Sequence, residues 1–181
     1  MTVEIELKLP IRHPRSLRAR LRRLGFLVTR KRTLESNWLF DDARARLRAQ
    51  GKLLRLRQAG AVCLLTAKGP RQPGLLKRRQ EVQTTVADGP ACRQLLELAG
   101  FAVSGHYQLW RTLLRRPGQT GTIAWDQTRL GPYLEIEGSA RWVRHTALTL
   151  GLDPAAAEHR SYPDLLMTRP PRGRKSTAPQ R

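Results

Sequence analysis

The chain has 181 residues, enough for one domain with appendages and a sizeable core, and it carries 34 Lys and Arg against 14 Asp and Glu for a net charge of +20. That balance calls for anionic partners. Two cysteines, Cys63 and Cys92, lie among apolar neighbours without metal-ligand spacing, which excludes a disulfide scaffold and reads as buried free thiols. No apolar run reaches membrane-spanning length, and Glu4 and Glu6 stand where a signal peptide needs its apolar stretch, so the expectation is a soluble cytoplasmic protein with no membrane partner.

In chain order, residues 2–9 read as a strand, and Pro14 opens an amphipathic helix with Leu17, Leu21 and Leu24 on one side and arginines on the other, closed by Gly25. Residues 33–40 form the second strand, followed by a turn or short helix capped by Asp41 and Asp42 that runs to about Gln50. Strands over 51–57 and 61–68 flank a tight connection at Ala59-Gly60, and Gly69 to Gly74 form a loop. A strand over 75–86 precedes a helix over 91–99, introduced by Asp88 and Gly89-Pro90. A hairpin over 103–115 and 121–128, a strand over 133–138, a helix over 142–150 and a short helix from Ser161 complete the predicted elements. Residues 168–181 are basic, Pro-rich and almost free of apolar side chains, the composition of a disordered tail, leaving 1–167 as the domain.

Several strands alternate charged with aliphatic residues, as in Glu4-Ile5-Glu6-Leu7-Lys8, Leu54-Arg55-Leu56-Arg57 and Leu134-Glu135-Ile136-Glu137. A period of two sends the charged set to one face. About eight such strands in antiparallel hairpins, without strand-helix alternation, predict a mainly β (α+β) fold: a closed antiparallel barrel with a charged lumen and peripheral helices. The inward set is then Glu4, Glu6, Lys8, Arg55, Arg57, Lys68, Lys77, Arg79, Glu81, Arg111, Asp126, Glu135 and Glu137.

Taken alone, an alternating Glu pair is a solvated strand face; the joint pattern is what carries chemistry. Glu4 with Glu6 and Glu135 with Glu137 make a hard oxygen site suited to Mg2+ or Mn2+. The arginines offer planar forks for phosphate oxygens, and Lys8 and Lys68 compact point charges. A triphosphate-containing small molecule engages both halves at once.

The chain resembles the CYTH superfamily, the triphosphate tunnel metalloenzymes, which includes class IV adenylate cyclases, thiamine triphosphatases and inorganic triphosphatases. The likeness rests on Glu4-x-Glu6-x-Lys8, Asn37-x-x-Phe40-Asp41, Leu54-Arg55-Leu56-Arg57, Leu65-Thr66-x-Lys68-Gly69-Pro70, Arg79-x-Glu81, Arg111, Asp126, Leu130-Gly131, Glu135-Ile136-Glu137 and Ser161-Tyr162. It implies an eight-stranded tunnel in which Glu4, Glu6 and Glu137 bind metal with Glu135 and Asp126 sharing or supporting that role. Lys8, Arg55, Arg57, Lys68, Arg79 and Arg111 are implied as the phosphate-binding set, with Glu81 orienting its basic neighbours or serving as a second metal-side carboxylate. Two departures stand out: Asp42 follows Asp41 where the family often has threonine, and Leu109 stands where related sequences carry a lysine that Lys77 or Arg115 could replace.

Metal-dependent hydrolysis of tripolyphosphate or an organic triphosphate is the leading expectation, because conversion of ATP to cyclic AMP and pyrophosphate also requires a base pocket. Trp38, Phe40, Trp110 and Tyr133 are candidate stacking residues, although core packing is the simpler reading of each. A third expectation is a module that binds polyphosphate or RNA without turnover, suggested by the basic Arg18–Arg32 region and tail; nucleic acid is the less favoured partner. Monomer and homodimer both fit.

Overall fold

The computed structural model describes residues 2–167, so the predicted tail at 168–181 lies outside the described residues. Eight strands, β1 (Thr2–Pro10), β2 (Leu27–Asp42), β3 (Leu53–Ala59), β4 (Val62–Lys68), β5 (Lys77–Val86), β6 (Phe101–Arg115), β7 (Thr122–Thr128) and β8 (Gly131–Glu137), close into an antiparallel barrel in the order β1-β5-β4-β3-β2-β6-β7-β8. Helices α1 (Pro14–Arg23), α2 (Arg46–Ala49), α3 (Gly89–Leu98), α4 (Ala140–Thr149) and α5 (Tyr162–Leu166) are peripheral. The expected architecture is therefore the one the chain adopts.

Alternation decides which side each residue serves. Leu7 and Leu9 of β1, Ile123 and Trp125 of β7, and Leu134 and Ile136 of β8 face outward, yet all are buried because α1 and α4 lie over them with Leu17, Leu21, Val143 and Ala147. The main apolar core is thus outside the barrel, between wall and helices, and the interior is lined mainly by polar and charged side chains. Arg20 of α1 donates to the Leu150 carbonyl at the end of α4, joining the two covering helices. On another flank α3 packs Leu96 and Cys92 near Phe40, Leu56 and Cys63; both thiols are free, with Cys63 buried and Cys92 half-buried.

At one end of the barrel α5 sets Tyr162, Leu165 and Leu166 against Leu39, Tyr107, Leu109 and Tyr133. Ser161 caps this short helix through a reciprocal capping box with Asp164, which fixes where Tyr162 enters.

The second strand is longer than the sequence indicates, spanning Leu27–Asp42 rather than 33–40. The run Arg30-Lys31-Arg32 lacks alternation because register shifts between Val28 and Thr33 spread it over bulges opposite β6. The strand predicted from Leu75 begins at Lys77, since Leu76 leaves the ladder to join the core under the helices.

Candidate active site

Strand register builds the lumen in rows. Antiparallel pairing sets Glu6 of β1 between Lys77 of β5 and Glu137 of β8, Lys8 opposite Glu135, and Glu4 opposite Arg79. Lys68 lies opposite Glu81, Arg57 opposite Asn37, and Arg111 opposite Asp126. Every residue of the predicted inward set except Asp126 lines a cavity of about 330 Å³, joined there by Arg30, Arg71, Arg115, Ser161 and Tyr162. Asp126 shares that inward parity but is fully buried behind Arg111 and Tyr162, so it does not line the cavity itself.

Three ion-pair groups divide the interior. On one side Lys68 Nζ reaches Glu4 at 2.5 Å and Glu81 at 3.2 Å, while Lys77 Nζ donates to Glu6 at 3.1 Å. Toward α5, Arg111 takes both oxygens of Asp126 at 2.6 and 2.5 Å and Glu135 at 2.5 Å. The Tyr162 hydroxyl donates to Asp126 at 2.5 Å. Lys8 stands 3.9 Å from Glu135, donates to the Arg160 carbonyl at 2.8 Å and lies over the Tyr162 ring at 4.0 Å. On the third side Glu35 of β2, with no solvent exposure, pairs with Arg30, with Arg57 at 3.3 Å and with Arg111 at 3.8 Å, while Asn37 accepts from Arg57 Nε at 3.0 Å. Glu35 is absent from the sequence-derived site because no charged residue stands two positions before or after it on its strand; its shared parity with Asn37 and Asp41 is the signal that could have found it.

Proton affinities follow from this crowding. Burial, then repulsion from Glu6, raises the Glu4 carboxyl to about 7, and the same two causes raise Glu137 and Glu135. Burial opposes ionisation of Glu6 as well, but the ammonium groups of Lys77, Lys68 and Lys8 outweigh it and bring that carboxyl down to about 2. Burial lowers Lys8 to about 8.

The donor set suits a hard divalent cation. Glu4, Glu6 and Glu137 are oxygen ligands on adjoining strands, and the mutual repulsion that raises Glu4 and Glu137 is what a 2+ charge would relieve. The ligand cage predicted from Glu4, Glu6, Glu135 and Glu137 is not assembled, however: among the described residues no three His, Cys, Asp or Glu side chains converge at metal-holding geometry. Lysines hold Glu4 and Glu6, and Glu135 is engaged by Arg111.

Phosphate-binding chemistry is also present. Arg55 is 7 % exposed, forms no ion pair among the described residues, and has a buried Nε without a hydrogen-bond partner. Arg79 likewise lines the lumen and forms no ion pair among the described residues. A buried guanidinium without compensation is costly unless an anion completes it.

None of the candidate stacking residues lines this cavity. Phe40 is 2 % exposed among Leu56 and Cys63, and Tyr133 packs against Tyr162. Trp38 and Trp110 stand on the outer side of the wall, and Trp110 is a correction to the core reading, being 37 % exposed. The lysine missing at Leu109 has a counterpart in Lys77, which occupies the lumen from β5, and Arg115 lines it too.

A closed antiparallel barrel with a charged tunnel at its centre defines the class of the triphosphate tunnel proteins. The CYTH domain pattern matches residues 2–142, and the chain belongs to the CYTH family. A candidate adenylate cyclase of Methanocaldococcus jannaschii is 26 % identical over 137 residues, 76 % of this chain and 77 % of that one. The structure of a candidate adenylate cyclase from Vibrio parahaemolyticus superposes with a TM-score of 0.80 at 22 % identity, covering 91 % of this chain and 97 % of that one. An adenylyl cyclase candidate from Hippeastrum, described as having a dominant triphosphatase activity, superposes with a TM-score of 0.60 at 21 % identity, covering 83 % and 85 %. Family membership implies triphosphate-related chemistry in general and an enzyme of that type. No helix among the described residues is long and apolar enough to cross a membrane.

Proposed function

We propose that the tunnel hydrolyses the terminal phosphoryl group of tripolyphosphate or an organic triphosphate, with Mg2+ or Mn2+ as cofactor. The observation that carries this reading is Arg55, a buried guanidinium facing the cavity with an Nε unpartnered and no carboxylate paired with it among the described residues. Arg55 and Arg79 hold the phosphate chain, joined by Arg57, Arg111, Lys8 and Lys68 as the incoming charge competes for their present carboxylate partners. Glu4, Glu6 and Glu137 would hold the cation, with Glu135 and Asp126 in support. When bound, it supplies charge neutralisation and polarises the phosphoryl oxygen. Glu137, which forms no ion pair among the described residues and has a raised proton affinity, takes a proton from the attacking water; the water oxygen bonds to the terminal phosphorus as the bridging P–O bond breaks, giving orthophosphate and releasing the remaining diphosphate. Glu81 and Lys77 hold Lys68 and Glu6 in register.

Hydrolysis is favoured over cyclisation because the cavity-lining rings, Tyr107 and Tyr162, are only 5 % and 6 % exposed and leave a base no face to stack on. The names given to the archaeal and Vibrio relatives support the cyclase as the second reading.

Purified protein incubated with ATP, tripolyphosphate or thiamine triphosphate and either metal tests this. Orthophosphate release is expected, and loss of turnover in Glu4→Gln and Glu6→Gln with the thermal transition retained. Cyclic AMP with pyrophosphate as the main products would overturn hydrolysis, and no turnover on any of the three would favour a binding module.

A further inference from the structure

The outer wall formed by β2, β6 and β7 carries a second, shallower pocket of about 400 Å³, away from the lumen. At its centre the Arg32 guanidinium lies 3.8 Å over the indole ring of Trp110, held there by a 2.6 Å bond from its Nε to Gln127 Oε1. Arg129 and Gln108 complete the rim, both exposed. Four residues earlier on β6, about 13 Å along the strand, exposed His106 packs against Trp38 of β2 with ring centroids 5.1 Å apart and the rings tilted by 34°. Ser36 and Gln108 bridge the two platforms: the Ser36 hydroxyl is 2.7 Å from His106 Nε2, and Gln108 Nε2 donates to Ser36 at 3.2 Å.

The charge of the remaining surface points to what this wall receives. Half of the 14 acidic residues stand in the tunnel or directly behind its lining. The rest are engaged locally: Asp41, Asp42, Asp88, Asp153 and Asp164 accept backbone N–H bonds at turns and helix starts, and Glu97 and Glu158 pair with Arg93 and Arg160. Seven acids are therefore withdrawn into the tunnel, and although Asp88, Glu97, Asp153 and Asp164 remain exposed, no acid among the described residues lines the outer pocket.

Planar rings and a guanidinium on a β-sheet face, flanked by amide side chains and cations, suit unstacked bases with phosphates between them. A protein partner rich in acids would match the arginines but would leave the two aromatic platforms without a role. We propose that the outer face of β2, β6 and β7 binds single-stranded nucleic acid, with bases stacking on the Arg32–Trp110 and His106–Trp38 pairs and phosphates taken by Arg32 and Arg129. This surface is separate from the tunnel, so its function does not depend on the reaction proposed there.

Fluorescence anisotropy with a labelled 12-nucleotide oligouridine, its deoxy counterpart and a duplex of the same length, on the full chain, tests the proposal. Single strands are expected to bind more tightly than the duplex, whose base faces are hidden, and the two single-strand arms tell RNA from DNA. Trp110→Ala weakens binding about tenfold, as expected for a lost stacking contact; Trp110→Phe restores most of it, and tripolyphosphate turnover is unchanged in both. Arg32→Ala makes the log–log salt dependence shallower by about 0.7. Because Arg32 is exposed, that variant decides the matter even if Trp110→Ala fails to fold. Duplex binding as tight as single-strand binding, an affinity within about twofold of wild type in both variants, or no binding at ~50 mM salt would overturn the proposal.

Discussion

Glu35 has three arginines around it and no contact with solvent, so its ionisation state bears on three cationic side chains at once. Burial opposes its negative charge, but Arg111, Arg57 and Arg30 outweigh burial and lower it to about 2 from an ordinary 4.5. A carboxyl whose folded value is depressed stabilises the fold above its unfolded value, and that contribution disappears as pH falls from about 4.5 through 2. The shift corresponds to roughly 3 kcal/mol. Glu35→Gln should therefore destabilise the protein by about 3 kcal/mol at pH 7 and much less at pH 2, measured by urea titration at both values; an equal loss at both would show that the charge is not what matters. Residues of this kind are the hardest to read from sequence. Glu4 and Glu6 announce themselves by alternating with aliphatic neighbours, and Arg55 and Arg57 do the same. Glu35 stands alone between Leu34 and Ser36, and its partners come from β2, β3 and β6 through pairing that no local pattern reveals.

Elements gain their shape from contacts where backbone and ring approach closely. Gly121, just before β7, has the Trp142 indole of α4 where a side chain would stand, with ring carbons 2.3 Å from the site of a Cβ. The indole cannot yield easily, because its Nε1 donates to Gln119 at 2.9 Å and its ring packs toward the core beneath α4. Gly121→Ala should thus cost about 1–3 kcal/mol and lift α4 from the barrel, seen as a lower thermal midpoint; an unchanged midpoint would mean the ring can swing aside. Strand identity and order along the chain were legible in alternation and turn residues, as were the cap at Asp88 and the start of α5 at Ser161. The extra length of β2 was not legible, because its bulges break the period of two where the pattern would have to be counted. Of the outward aromatic residues, Phe40 and Trp38 pack against the core as expected, but Trp110 does not: parity shows that Trp110 and Arg111 point opposite ways, but not that helices cover only part of the outside of the barrel.

At the scale of the molecule, the barrel inverts the usual economy of a small β-protein, with the apolar core outside the wall and the charges within. Such an interior is self-repelling wherever one sign predominates, so an anion that fills it should stabilise the whole fold. If tripolyphosphate binds the native state alone, a concentration of 100 times its Kd adds about 2.7 kcal/mol, which for a chain of this size raises the melting temperature by roughly 5–10 °C. Scanning fluorimetry with tripolyphosphate against sodium chloride of equal ionic strength checks this, and an equal rise in both would assign the effect to general screening.

Closure of the barrel also bears on how the chain is made. The first strand pairs with β5 and with β8, so Glu6 meets Glu137 only after almost the entire domain has left the ribosome. At ~5–20 residues per second, β1 waits on the order of ten seconds for its last neighbour, with one backbone edge open until β5 emerges and the other until β8, and with Ile5, Leu7 and Leu9 uncovered. An open strand of that kind invites pairing with other nascent chains, and interleaved charges are the usual deterrent. Glu4, Glu6 and Lys8 thus have an earlier task than any in the finished tunnel: they keep the newborn strand solitary until its partner arrives.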